Sequence, residues 1–194
     1  MEFGILCNGN IFQKWQLESI RLLIEAGHTC RLMVVNANTV AEQGFWEKLA
    51  HYPWSKLLCR AWFRYRIKPE AKSDVDINTL LPGLPALHCV TTNKGISEYF
   101  SPADVEYIKS CKLDFMLRYG FGIIKGEILD AATYGVWSYH HDDDRKYRGV
   151  PTGFWEIMFG DPVNAAVLQR LTHQIDSGII LYKAYFATIN HSWE

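Results

Sequence analysis

Ser138-Tyr139-His140-His141-Asp142-Asp143-Asp144 is the densest run of chemically able side chains in the sequence, and Arg145-Lys146-Tyr147-Arg148-Gly149 follows it at once. The run closes an apolar stretch that reads as a strand from Val136 to Tyr139, and in a strand residues two apart share a face. Ser138 and His140 therefore project together, with Tyr139 turned to the opposite layer. A hydroxyl donor beside an imidazole is a workable pair for acyl transfer. A second polar feature, Asp176-Ser177-Gly178, separates two apolar strands. Asp176 can meet His140 if those strands are neighbours; otherwise D-S-G is a common turn. A divalent metal held by His140, His141 and Asp142 to Asp144 is a competing reading, but successive strand residues face opposite ways, so the two histidines share one ion only if the loop bends. His173, near a strand end, reads as a structural histidine.

These residues need a frame, and the sequence supplies one. Glu2 to Cys7 is a short apolar strand, Asn8-Gly9-Asn10 is turn chemistry, and Trp15, Leu17, Ile20, Leu22, Leu23 and Ile24 recur at helical spacing up to Gly27. Cys30 to Val35 is a second buried strand, so the opening is a strand-helix-strand unit with a parallel crossover. Its first loop is not G-x-G-x-x-G, which removes the main support for a dinucleotide site. Ala86 to Val90 is a strand, and Ser101-Pro102-Ala103-Asp104 caps a helix running to about Lys112. Leu113 to Leu117 is a buried strand, Tyr119 to Ile124 a glycine-hinged loop, and Glu127 to Ala132 a short helix. A helix opened by Gly149 and Pro151 runs to about Phe159, with strands at Ala165 to Leu171 and Ile179 to Phe186 after it. The fold class expected is α/β, a Rossmann-like open, mostly parallel sheet with helices on both faces, whose site sits at the carboxyl ends of strands.

Composition sets the outer limits. The 194 residues, 48% hydrophobic, suit one domain spanning residues 1–194, with residues 40–80 as an insertion. Lys and Arg (20) balance Asp and Glu (21), so no overall basic field favours a nucleic-acid partner. The basic-aromatic stretch RAWFRYRIK reads as an amphipathic surface helix with snorkelling arginines. Five scattered cysteines without C-x-x-C spacing indicate neither a disulfide framework nor a zinc site, and Cys7, Cys30 and Cys89 sit in apolar runs as small hydrophobes. No window nears the roughly 18 apolar residues of a membrane span, and the start MEFGILCNGN lacks the regions of a signal peptide. A cytoplasmic protein without a membrane partner is the expectation.

GVWSYHHDDDRKYRG, LTHQIDSG and the upstream LDFMLRYGFGIIKGEILDAATYG together resemble the 10-formyltetrahydrofolate-dependent formyltransferase family, which includes the methionyl-tRNA, amino-sugar and glycinamide ribonucleotide formyltransferases. The resemblance covers most of the chain except residues 40–80. The family pattern of Asn-x-His, aromatic-Arg-Gly and a later Asp-x-Gly matches Ser138-Tyr139-His140, Tyr147-Arg148-Gly149 and Asp176-Ser177-Gly178. It implies that Ser138 and His140 polarise the formyl oxygen and that Asp176 pairs with His140. It places the folate co-substrate, 10-formyltetrahydrofolate, against Phe121, Gly122, Ile123, Ile124 and Ile175. The acceptor would lie near His141, Asp142, Tyr147, Arg148 and Gly149, with no metal.

The chain departs from the family pattern at two places. Ser138 replaces the family's Asn, and the carboxylates Asp142 to Asp144 replace its small-apolar-Pro loop. Three carboxylates would repel a phosphate and attract a cationic amine or sugar hydroxyls, so the acceptor expected is a small primary amine, an amino sugar or nucleotide-linked amino sugar. The sequence ends at INHSWE soon after the last strand, which leaves no room for the extra domain of the tRNA-directed branch unless the chain is a piece of a longer one. A formyltetrahydrofolate hydrolase, with water in place of the amine, and a folate- or sugar-binding homologue weakened by Ser138 are the alternatives. Because the Asn-to-Ser difference removes an amide donor, Ser138→Asn should preserve or raise the steady-state rate of formyl transfer. A large drop would assign the serine to other chemistry.

Overall fold

A computed structural model describes residues 1–38, 70–143, 145–147, 153–174 and 177–189. In chain order the elements are β1 (Glu2–Cys7), β2 (Ile11–Gln13), α1 (Lys14–Glu25), β3 (Thr29–Asn36), β4 (Asp74–Asp76), β5 (Ala86–Cys89), β6 (Thr92–Lys94), β7 (Ser97–Tyr99), α2 (Pro102–Ser110), β8 (Phe115–Arg118), β9 (Ile123–Lys125), β10 (Val136–His141), α3 (Phe154–Phe159), β11 (Val163–Arg170) and β12 (Ile179–Ala187). Seven strands form the central sheet in the order β12-β11-β10-β8-β1-β3-β5. Strands β5, β3, β1, β8 and β10 are parallel, and β11 and β12 complete one edge in antiparallel register.

The alternation of β1 shows why helices must cover both faces. Phe3, Ile5 and Cys7 join Ile20 of α1, Met33, Phe115 and Leu117 in one core, while Leu6 joins Val34, Met116, Val136 and the α2 residues Val105 and Ile108 in the other. With both faces buried, each strand reads as a continuous apolar run. The aromatic centre of the α1-side core is a stack: Phe115 lies 5.4 Å from Phe3 and 4.1 Å from Trp137, nearly coplanar with each. On the opposite side, Ser101 caps α2 by accepting from the Asp104 N–H at 3.1 Å, with Pro102 at the start of the helix.

From β1 the chain builds outward to β3 and β5, then returns to the other side of β1 as β8 and β10. The strand order thus reverses between β1 and β8, where open α/β sheets form a crevice at their carboxyl ends. The crevice is bounded by the residues after Cys7 and those after Arg118.

Several boundaries differ from the sequence reading. The strand expected at Leu113–Leu117 is Phe115–Arg118, so Arg118 belongs to the sheet. The strand expected to stop at Tyr139 continues through His141 because it pairs with β11, whose register sets His140 against Val167 and His141 against Ala166. The helix expected over Glu127–Ala132 is a 3₁₀ turn, Glu127–Asp130, preceded by Gly126 at φ 87°. Two small sheets, β2 with β4 and β6 with β7 and β9, lack a local signal, since their three-residue strands exist only through their partners. Of residues 40–80, those from 70 onward dock on the N-terminal loop through β4; the rest, with the RAWFRYRIK stretch, lie outside the described residues.

Cys7, Cys30 and Cys89 are buried free thiols, and burial pushes Cys7 up to about 11 and the other two up to about 12. Among the described residues no helix is long and apolar enough to cross a membrane. The Phe3–Phe115–Trp137 stack joins β1, β8 and β10, the three strands that bound or carry the site. Phe115→Ala should lower stability by about 3–5 kcal/mol, read as a shift in the urea-unfolding midpoint; a shift under about 1 kcal/mol would show that the stack does not hold these strands.

Candidate functional site

Arg118 ends β8, and parallel pairing sets it in register with Ser138 of β10. Ser138 is 4% exposed, and its Oγ accepts a hydrogen bond from Arg118 Nη1 at 3.1 Å. His140 lies two residues on, half-buried on the same face. Its neighbours turn the other way: Tyr139 meets Trp15 edge-on at 5.6 Å, and His141 does so at 5.5 Å. The two histidines therefore diverge. His141 is exposed along one edge, yet the desolvation it does undergo holds its pKa below the ordinary imidazole value. Among the described residues no group of three His, Cys, Asp or Glu side chains is placed to hold a metal ion. His173 pairs with Asp130 at 2.9 Å, away from His140, in a structural contact.

The turn after β8 is fixed by close approach. The N–H groups of Tyr119 and Gly120 both donate to the Leu6 carbonyl, at 2.8 and 2.9 Å. A Cβ on Gly120 would lie 2.5 Å from the Cys7 carbonyl carbon, so only glycine fits. Phe121 adopts φ 62°, unusual for a large side chain. It is held there by its N–H donating to Asn8 Oδ1 at 2.9 Å and by its ring against Phe100 at 4.9 Å. Gly122 donates to Glu98 Oε1 at 2.5 Å, and its carbonyl accepts from Arg118 Nη2 at 2.6 Å. The N–H groups of Phe121 and Gly122 are thus already used inside the protein. Ile124 is buried, while Ile123, 39% exposed, and Gly122 are open to solvent.

The acidic loop is turned inward. Asp142 is 2% exposed; its carboxylate accepts from the Gly153 N–H at 2.7 Å, at the start of α3. Asp142, expected near an acceptor, thus has a carboxylate oxygen engaged within the protein. Asp143 is likewise buried, held by Lys183 Nζ at 2.5 Å and by the Arg145 N–H at 3.0 Å; the lysine keeps its carboxyl below the usual carboxylate range. Tyr147 stacks on Phe159 and lies near Asp161, which pairs with Lys146 at 2.8 Å. Asp144, Arg148, Gly149, Ile175 and Asp176 lie outside the described residues.

A cleft of about 250 Å³ opens on the α1 side of the crevice, lined by Cys7, Asn8, Ile11, Phe12, Gln13, Gln16, Asp74 and Tyr119. Among the described residues its lining holds one carboxylate, Asp74, and no basic side chain. A second, shallower hollow of about 360 Å³ is lined by Thr172, His173, Gln174 and Ser177. Sequence reasoning missed three residues that organise the site. Arg118 carried a readable signal, a charge closing the apolar run Phe115-Met116-Leu117. Asn8 was visible only as turn chemistry, and Glu98 gave no signal.

No family model matches the sequence. A methionyl-tRNA formyltransferase of Agathobacter rectalis is 29% identical over 107 residues, 52% of this chain and 34% of that protein. One from Borrelia recurrentis is 34% identical over 83 residues, 42% of this chain and 27% of that protein. The matched stretches thus span about a third or less of these relatives. Among solved structures, a phosphoribosylglycinamide formyltransferase from Anaplasma phagocytophilum superposes with TM-score 0.58 over 99% of this chain and 74% of that one, at 12% identity. A formyltetrahydrofolate deformylase from Pseudomonas syringae pv. tomato gives 0.57 over 99% and 53%, at 10% identity. At these identities the superpositions speak for the fold.

The inward acidic loop carries its own test. Glu156 on α3 is 1% exposed, neither of its carboxylate oxygens has a hydrogen-bond partner among the described residues, and burial raises its pKa, helped by Asp142, Asp161 and Asp143. A carboxyl whose folded pKa exceeds its unfolded one binds more protons in the folded state, so its presence lowers stability as pH rises above the unfolded value near 4. Glu156→Gln should raise the urea-unfolding midpoint at pH 7, with the gain shrinking toward pH 4. An equal effect at both pH values would show that the carboxyl does not titrate with folding.

Proposed function

We propose that this chain, similar over about half its length to a methionyl-tRNA formyltransferase, is a folate-dependent formyltransferase that transfers a formyl group from 10-formyltetrahydrofolate to the primary amine of a small acceptor, an amino sugar or nucleotide-linked amino sugar. The observation that carries this reading is the pairing of Ser138 and His140 on one face at the carboxyl end of β10, beside the guanidinium of Arg118 and the crevice between β1 and β8.

The residues fit the co-substrate in part through side chains. Exposed Ile123 and uncovered Gly122 form an apolar ledge for one side of a flat heterocycle, and the carbonyl of Gly122 keeps a lone pair beyond the one Arg118 takes. When bound, 10-formyltetrahydrofolate supplies the electrophilic formyl carbon. Ser138 accepts from Arg118, and its own proton, held only by a long 3.4 Å hydrogen bond to the Tyr139 carbonyl, can turn to donate toward the formyl oxygen. His140, whose ring no described residue hydrogen-bonds, can donate to the same oxygen or take the proton that the amine loses. Asp176, by family resemblance, would hold His140 in the protonation state this requires.

The cleft beside Asn8 supports the choice of acceptor. The amides of Asn8, Gln13 and Gln16 and the carboxylate of Asp74 in its described lining suit hydroxyls or a cationic amine. This argument replaces the one from Asp142 and Asp143, whose charges are spent inside the loop.

Titration calorimetry with the stable analogue 5-formyltetrahydrofolate, followed by a screen of amino sugars for formyl transfer, tests the proposal. Micromolar binding and acceptor-dependent donor loss are expected; donor loss without acceptor would make the protein a hydrolase. His140→Ala and Asp176→Ala should each lower turnover by about 10²- to 10⁴-fold with unchanged unfolding midpoints. Near-normal transfer by either variant would overturn the site assignment.

A further inference from the structure

The geometry points to Arg118 as the positioning residue that makes Ser138 an effective hydrogen-bond donor for the charge developing on the formyl oxygen, an inference that rests on the function proposed above. A lone serine is a poor replacement for a side-chain amide, because its hydroxyl rotates and can offer its proton to any nearby acceptor. Here the nearest is the Tyr139 carbonyl at 3.4 Å, at the long limit of a hydrogen bond. Arg118 Nη1 occupies one lone pair of Oγ at 3.1 Å and leaves the proton for an outside acceptor. A charged donor on the oxygen also polarises the O–H bond and brings positive charge close to where negative charge will form.

Two further observations separate this from a mere clamp on the turn. Arg118 Nη2 donates to the carbonyls of Phe121 at 3.3 Å and Gly122 at 2.6 Å, so the guanidinium is fixed before any ligand arrives. Yet it forms no ion pair with a described carboxylate, and its buried Nε has no hydrogen-bond partner among the described residues. Glu98, the carboxylate that acts on it through space, spends both oxygens on the Gly122 N–H and the Thr91 hydroxyl. A desolvated cation whose one described counter-charge acts on it only through space, without a direct ion pair, is costly in the resting protein. The cost is recovered when a neighbouring group becomes negative, which is the condition for electrostatic preorganisation.

The test combines turnover with a readout that needs none. In wild type, the ¹³C-formyl carbonyl of bound 5-formyltetrahydrofolate should show an infrared band lowered by hydrogen bonding. Arg118→Met should remove much of that lowering and reduce kcat about 100-fold with little change in KM. Arg118→Lys, which keeps the charge but loses the fork, should recover part of both and guards against misfolding of the methionine variant. Because Arg118 acts through Ser138, adding Arg118→Met to Ser138→Ala should cost no more than about twofold beyond Ser138→Ala alone. An unchanged band and kcat in Arg118→Met, or full additivity with Ser138→Ala, would overturn the inference while the family reading stands. Failure of wild type both to bind the analogue and to consume donor would overturn the reading itself, and this inference with it.

Discussion

Hydrogen bonds run across the carboxyl end of the sheet from Asn38, just past β3, to Ser138 on β10, and the site exists only while they hold. Asn38 Nδ2 donates to Thr91 Oγ1 at 2.6 Å, and Thr91 donates to Glu98 Oε2 at 3.0 Å. The other oxygen of Glu98 takes the Gly122 N–H, Gly122 returns its carbonyl to Arg118, and Arg118 reaches Ser138. Each link is ordinary in strength, but in a partly desolvated setting the members polarise one another, and an orphaned member costs more than a bond in water. The chain of contacts therefore sets the turn, the arginine and the serine together.

Sterics hold the same turn from the other side. Gly120 sits so close to the backbone at Cys7 and Asn8 that no side chain fits, and Phe121 tolerates a left-handed φ because Asn8 and Phe100 hold it. The strand-order reversal between β1 and β8 leaves the crevice, and these contacts give it one rigid wall. The opposite layer is aromatic: Trp15, Tyr119 and Tyr139 meet at 5.6 to 6.1 Å, with His141 at the rim. The period of two in β10 thus sorts a polar reactive face from an aromatic one within six residues.

The loop after β10 shows how charge in a sequence misleads when burial is unknown. Consecutive aspartates suggest a negative surface aimed at a ligand. Asp142 and Asp143 instead close the loop against α3 and β12, one through the Gly153 N–H and the other through Lys183. The negative charge that Asp142 and Asp143 present to the outside is correspondingly smaller.

The sequence by itself determined the parallel α/β sheet, the helix caps at Ser101 and Pro102, the buried cysteines, and the common face of Ser138 and His140. Each depends on apolar periodicity, local cap chemistry or strand alternation, and all of these act over a few neighbouring positions. Only the tertiary structure decided that β8 extends to Arg118, that Arg118 stands in register with Ser138, and that Glu98 and Asn8 hold the turn between them. Those contacts join residues 20 to 113 positions apart. It likewise turned Asp142 inward and spent the Phe121 and Gly122 N–H groups on internal partners. A local pattern states which face a side chain takes, whereas its partner is set by strand order and register, which are properties of the whole sheet.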